Sequence, residues 1–98
     1  MPKQYNRNTP EYIDELPKDV FEMTKVLGYE FDRYWIDLNK CRIIMKPKTL
    51  NKYKVIKPYY DKWNNTYYFN PIDVNGIAHH WRYYDLIIYH TYVNYEYW

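Results

Sequence analysis

From Pro58 to Trp98 the chain reads PYYDKWNNTYYFNPIDVNGIAHHWRYYDLIIYHTYVNYEYW, and the reading of this stretch decides the fold. Aromatic and β-branched runs alternate with turn signals, so the segment predicts a sheet. Asn75-Gly76, set between IDV and IAH, is the strongest signal, because an Asn-Gly pair suits both left-handed positions of a type I′ hairpin turn. Its strands are expected over 66–74 and 77–84. Trp63-Asn64-Asn65-Thr66 reads as a further turn. After Arg82 the pattern is double: the residue types favour strand, while Ile77, Trp81, Tyr84, Ile88 and Tyr92 share one helical stripe. Strand is the expectation for 77–98 and helix the alternative.

Upstream of this stretch, KYKVIKPYY predicts a strand with Tyr53 and Val55 on one face and Lys52 and Lys54 on the other. YEFDRYWIDL has a period of two, with Phe31, Arg33, Trp35 and Asp37 on one face and Asp32, Tyr34, Ile36 and Leu38 on the other. Asn39-Lys40 turns it back into CRIIM, a hairpin of 29–38 with 41–46, which Pro47 ends. Farther toward the N-terminus, Leu16, Val20, Met23 and Leu27 recur at helical spacing, Pro17 suits a first turn, and Gly28 stands where a left-handed cap would. A helix is expected over about 17–27, with Thr9-Pro10-Glu11 as an earlier helix start. Residues 1–9 read as an extended arm. The expected architecture is an α+β fold in one domain, with 10–27 helical and 29–98 mostly β: an N-terminal helix packed on an antiparallel meander of five or six strands.

Ninety-eight residues suffice for one core and are too few for two. No run approaches the roughly 20 apolar residues that cross a bilayer, and MPKQYNRNTPEY lacks a signal peptide's apolar region. With Cys41 as the lone cysteine, a cytoplasmic location is expected. Ala occurs once and Ser not at all, while Lys, Asn, Ile and Tyr abound, a skew that AT-rich coding produces and that points to a virus or phage. The missing serine removes serine-hydrolase and Gly-Lys-Ser phosphate-loop chemistry.

Candidate reaction centres are weak. His79, His80, His90, Asp85 and Cys41 are the only metal-like set, yet neighbours in a strand face opposite ways and no metal-ligand spacing occurs. A tyrosine nucleophile with a His pair would want a one-residue gap that His79-His80 lacks. Cys41, in CRIIM, reads as a buried, inert thiol. The expectation is no enzyme, no metal and no cofactor.

Binding is the sharper expectation. Four Trp, fifteen Tyr and three Phe exceed what a domain burying about 60–65% of its surface can hide. Interfaces concentrate Tyr, Trp and Arg. If Ile77, His79, Trp81 and Tyr83 face inward, His80, Arg82 and Tyr84 face out; with Trp63 at its turn they are the candidate partner-binding residues. The expected partner is a larger host or virion protein complex, with the chain as inhibitor or assembly factor; a homo-oligomer is compatible, a membrane partner is not expected. The alternative is single-stranded nucleic-acid binding through 40–62. Between Asp37 and Asp61, seven bases without an acid follow an acidic N-terminal third, and Lys48, Lys52 and Lys54 could track phosphates while Tyr59 and Tyr60 stack on bases. The plainer reading of those lysines is a solvated face that guards a sheet edge, and a pI of about 8.5 falls short of a typical nucleic-acid domain.

Overall fold

The computed structural model describes residues 9–95. Eight strands and one helix follow in order: β1 Glu11–Ile13, β2 Val20–Val26, β3 Tyr29–Asp37, β4 Arg42–Met45, β5 Tyr53–Ile56, β6 Tyr59–Asp61, β7 Thr66–Phe69, β8 Trp81–Arg82 and α1 Tyr83–Tyr95. They form a five-stranded sheet, β1-β5-β4-β3-β2, and a three-stranded sheet, β6-β7-β8, with every pairing antiparallel. Lys57 and Pro58 divide the expected strand 52–60 between the two sheets, since proline ends a ladder. Six residues, 14–19, carry the chain from the β1 edge of the large sheet to its β2 edge.

The core lies between one face of the large sheet, the small sheet and α1. Met23, Tyr34, Ile36 and Ile43 supply the sheet side, Phe69 the small sheet, and Tyr83, Leu86 and Ile87 the helix. Each such side chain contributes about 1.5–3 kcal/mol through burial. Tyrosine enters this core because its hydroxyl finds partners: Tyr34 Oη accepts from Ile72 N at 2.9 Å, and Tyr83 Oη accepts from Ile43 N at 2.8 Å while donating to Ile56 O at 2.7 Å.

The two sheets and one helix agree with an antiparallel, mostly β chain, but the helix stands at the other end from the one expected. In place of a helix over 17–27 there is edge strand β2, and 11–13 pairs with β5. The apparent helical stripe has a local cause. Met23 pairs with Tyr34 but Lys25 with Glu30, so Phe31, Asp32 and Arg33 of β3 oppose Thr24 alone. This bulge flips the facing of both strands. Met23 and Val26, three apart, are both buried, and so are Phe31 and Tyr34. A broken period of two thus imitates a period of three and a half. The same bulge removes Phe31 from the face it was expected to share with Arg33 and Trp35.

At the C-terminus the expected strand 77–98 gives way to α1. Its buried residues are Tyr83, Leu86, Ile87 and His90, spaced i, i+3, i+4, i+7; Tyr84 and Ile88, from the alternative helical stripe, lie outside. Residues 96–98, part of the same expectation, and 1–8 of the expected arm lie outside the described residues.

Three of the turns share one device, an aspartate at their start that accepts backbone N–H groups. Lys40 N donates to Asp37 Oδ1 at 3.3 Å, Trp63 N to Asp61 Oδ1 at 2.9 Å, and Asn75 N and Ile77 N to Asp73 Oδ1 at 2.9 and 3.0 Å. The Asn75-Gly76 hairpin is not type I′. Only Gly76 is left-handed (φ 84°), and Asp73 N donates to Ile77 O across a three-residue loop, the type I turn with a bulge. The type I′ geometry occurs instead at Leu27-Gly28, where both φ angles are positive, 53° and 86°, between the paired Val26 and Tyr29. Cys41 is exposed with φ 53° in the β3–β4 turn, not buried in a strand.

Candidate protein-docking groove

Beside the Leu27-Gly28 turn lies a groove of about 390 Å³, walled by Val26 and Leu27 on one side and by Trp81, Arg82, Leu86 and Tyr89 on the other, with Tyr68 and His80 toward the small sheet. The local sequence explains its shape. The β2–β3 hairpin projects its tip because a two-residue turn follows the twist of its strands. Helix α1 begins directly after β8, so Trp81, Arg82, Asp85 and Tyr89 stack along one wall.

Leu27 is the conspicuous member. It is 75% exposed and holds a left-handed backbone conformation that a bulky residue adopts only at a cost of about 1–2 kcal/mol. Asparagine would occupy the position with less strain. Exposed apolar surface continues over α1: Ile88 is 63% and Tyr89 47% exposed. Between Tyr83 and Tyr95 only Asp85 is formally charged, so this helix lacks the polar face of an ordinary surface helix.

The polar groups sit on the rim. His80 stacks on Tyr68 with ring centroids 4.2 Å apart and 10° between planes, and its Nδ1 lies 2.9 Å from Tyr59 Oη. Tyr68 and Asp85 hold the Arg82 guanidinium above its ordinary pKa, and the Arg82–Asp85 ion pair spans 3.5 Å. His79 is turned away from the groove's polar rim: its Nε2 lies 2.8 Å from Asp73 Oδ2, and its ring packs 4.2 Å from that of Tyr29. Chiefly the hydrogen bond from His79, joined by two backbone N–H donors, pulls the Asp73 carboxyl below its usual range. Among the described residues no group of three or more His, Cys, Asp or Glu is placed to hold a metal ion.

Of the partner-binding residues expected from sequence, His80 and Arg82 line the groove. Tyr84 is exposed one residue into α1, edge-on to Tyr67 at 5.7 Å, and Tyr67 in turn meets Tyr60 at 5.2 Å. Trp63, 87% exposed, stands apart in the turn past the Asp61–Thr66 pair, with Lys62 Nζ 5.8 Å from its ring. Leu27, Val26, Leu86 and Tyr89 join the groove without being among the residues expected from sequence. The first two fall at the end of the expected helix 17–27; Leu27-Gly28 between two runs of alternating residues is the signal that finds them.

The nucleic-acid set is divided. Lys54 belongs to β5 of the large sheet, and Lys48 lines a separate cleft with Asp32, Arg33 and Asp73. Tyr59 and Tyr60 belong to β6 of the small sheet, where Tyr60 Oη donates to Asn65 Oδ1. Within the basic stretch Arg42 pairs with Asp37 at 3.0 Å and Glu11 at 3.7 Å, and Lys57 with Glu11 at 3.9 Å. Among the described residues no helix is long and apolar enough to cross a membrane. Comparison with protein-family models, curated proteins and solved structures finds no match for this chain.

Proposed function

We propose that this chain is a non-enzymatic protein-binding module that docks on a larger protein through the groove between the Leu27-Gly28 turn and α1. The observation that carries the reading is Leu27: a leucine kept both exposed and strained, at a turn that prefers a small polar residue, beside an apolar cleft. Strain that the fold does not need points to function. The cleft accepts one bulky apolar side chain, Leu27 and Tyr89 close over it, and the rim of Arg82, Asp85 and His80 orients the peptide around it. The reading extends to a viral or phage factor in the host cytoplasm that inhibits or assembles a larger complex. A single-stranded nucleic-acid role draws less support, because acids offset Arg42 and Lys57 and the remaining lysines are split from the Tyr59 and Tyr60 rings.

Selection of displayed random peptides on the purified chain tests this. Enrichment of peptides with a bulky apolar anchor, lost on Leu27→Asp, supports it; no enrichment, or peptides that bind Leu27→Asp equally, overturns it. Retention on immobilised oligonucleotide that falls steeply with salt would instead favour the nucleic-acid reading.

A further inference from the structure

Among the described residues the two most exposed large apolar side chains are Trp63 and Leu27. One is a projection, and the other forms a wall of the groove. The turn that carries Trp63 is closed from several sides. Asp61 pairs with Thr66 at its base, Trp63 N donates to Asp61 Oδ1 and Asn64 Nδ2 to Asp61 Oδ2, both at 2.9 Å, and Tyr60 Oη donates to Asn65 Oδ1. A tryptophan presented on a backbone so fixed has little freedom left to lose on binding, which is what an interface anchor requires.

The chain thus carries both a bulky apolar anchor and a cleft that accepts one. Trp63 does not line the groove of its own chain, so the molecule that receives it is another. Charge suits the match. Lys62 Nζ lies 5.8 Å from the Trp63 ring, so the indole enters a cleft with a cation beside it. The rim offers Asp85, the one formal charge of α1 between Tyr83 and Tyr95, exposed and 3.5 Å from Arg82. The Arg82 guanidinium is placed to meet the indole face. From this pairing of projection with cleft and of cation with acid, we infer that the groove of one copy of this chain receives Trp63 of a second copy, with Lys62 of the incoming turn set against Asp85 of the receiving rim. The inference rests on the groove reading and adds a partner to it: self-association covers the cleft until a larger protein displaces the tryptophan. Because projection and cleft are different patches, each contact is heterologous, and a single contact joins one copy's cleft to the other's tryptophan.

Sedimentation of the full chain from low micromolar to submillimolar concentration tests it. The wild type self-associates. Trp63→Ala and Leu27→Asp each weaken association at least tenfold, while circular dichroism shows both folded. An equimolar mixture of the two variants forms a one-to-one complex, because Trp63→Ala brings the cleft and Leu27→Asp the tryptophan. A monomer throughout the range, a Trp63→Ala chain that associates like the wild type, or a mixture that stays monomeric overturns the inference. Selection of displayed peptides on Trp63→Ala separates that failure from failure of the groove reading. Peptides with an apolar anchor, enriched there and lost on adding Leu27→Asp, keep the cleft as a docking site even where the chain is monomeric; absence of enrichment overturns the groove reading itself.

Discussion

Tyr83 and Ile43 are forty positions apart in the chain, yet the Tyr83 hydroxyl accepts a 2.8 Å hydrogen bond from the Ile43 amide and donates one to Ile56 O at 2.7 Å. Ile43 and Ile56 face each other across β4 and β5, so the first residue of α1 is pinned to the centre of the large sheet. Desolvation, chiefly, drives the phenol well above its ordinary pKa, which keeps it a donor. Tyr83→Phe keeps the ring, 1% exposed, but strands a buried N–H and removes the donor to a partly buried carbonyl. A loss of about 1–3 kcal/mol in urea unfolding is expected, and a change below about 0.5 kcal/mol contradicts this role.

Asp73 organises the loop that returns the chain to β8, holding Asn75 N, Ile77 N and His79 at once. Its carboxyl is pulled below the ordinary 3.8, so the unfolded chain takes up a proton before the fold does. The stabilisation is complete above pH 3.8 and drains away as pH falls through the lower folded value. Asp73→Asn should lower the melting temperature at pH 7 and flatten the acid limb of stability against pH. A limb as steep as the wild type's would show that other carboxylates carry it.

His90 also titrates on the acid side of neutrality. It is 7% exposed, its Nδ1–H donates to Leu86 O at 2.9 Å, and burial lowers its pKa from 6.5. The fold therefore keeps it neutral where the unfolded chain is protonated, and stability declines as pH drops from 6.5 toward the folded value. Thermal melts at pH 7.5, 6.5 and 5.5, values chosen around that ordinary pKa of about 6.5, should show little change over the first interval and a fall over the second. His90→Phe, which keeps an apolar ring in the site, should remove most of that fall; an undiminished slope would rule His90 out as its source.

The central strands and the positions of several turns were legible in the sequence because period two and turn residues act locally. Tyr29–Asp37, Arg42–Met45 and Thr66–Phe69 fall within the segments expected for them. Gly28 was recognised as left-handed, but the same φ serves a helix cap and a type I′ turn, and only the strand pairing distinguishes them. The bulge opposite Thr24 is a tertiary event that left β2 looking helical. For α1, the β-branched and aromatic residue types favoured strand over the helical stripe; the hydroxyl of Tyr83 and the packing of Leu86 and Ile87 on the core decide for helix. At the groove, alternation placed His80 and Arg82 outward, whereas Leu27 was hidden by the mistaken helix. The single-domain expectation and the partner's identity rest on the sequence argument alone.

The docking account turns on Leu27, and its most direct test measures stability and binding on one variant. Leu27→Asn relieves a strained turn and removes an apolar wall, so the melting temperature should rise, by an amount equivalent to about 1 kcal/mol. The affinity for a groove-selected peptide should fall at least tenfold, as loss of a buried leucine contact implies. Higher stability with unchanged affinity would contradict the account and leave Leu27 a strained residue without a binding role.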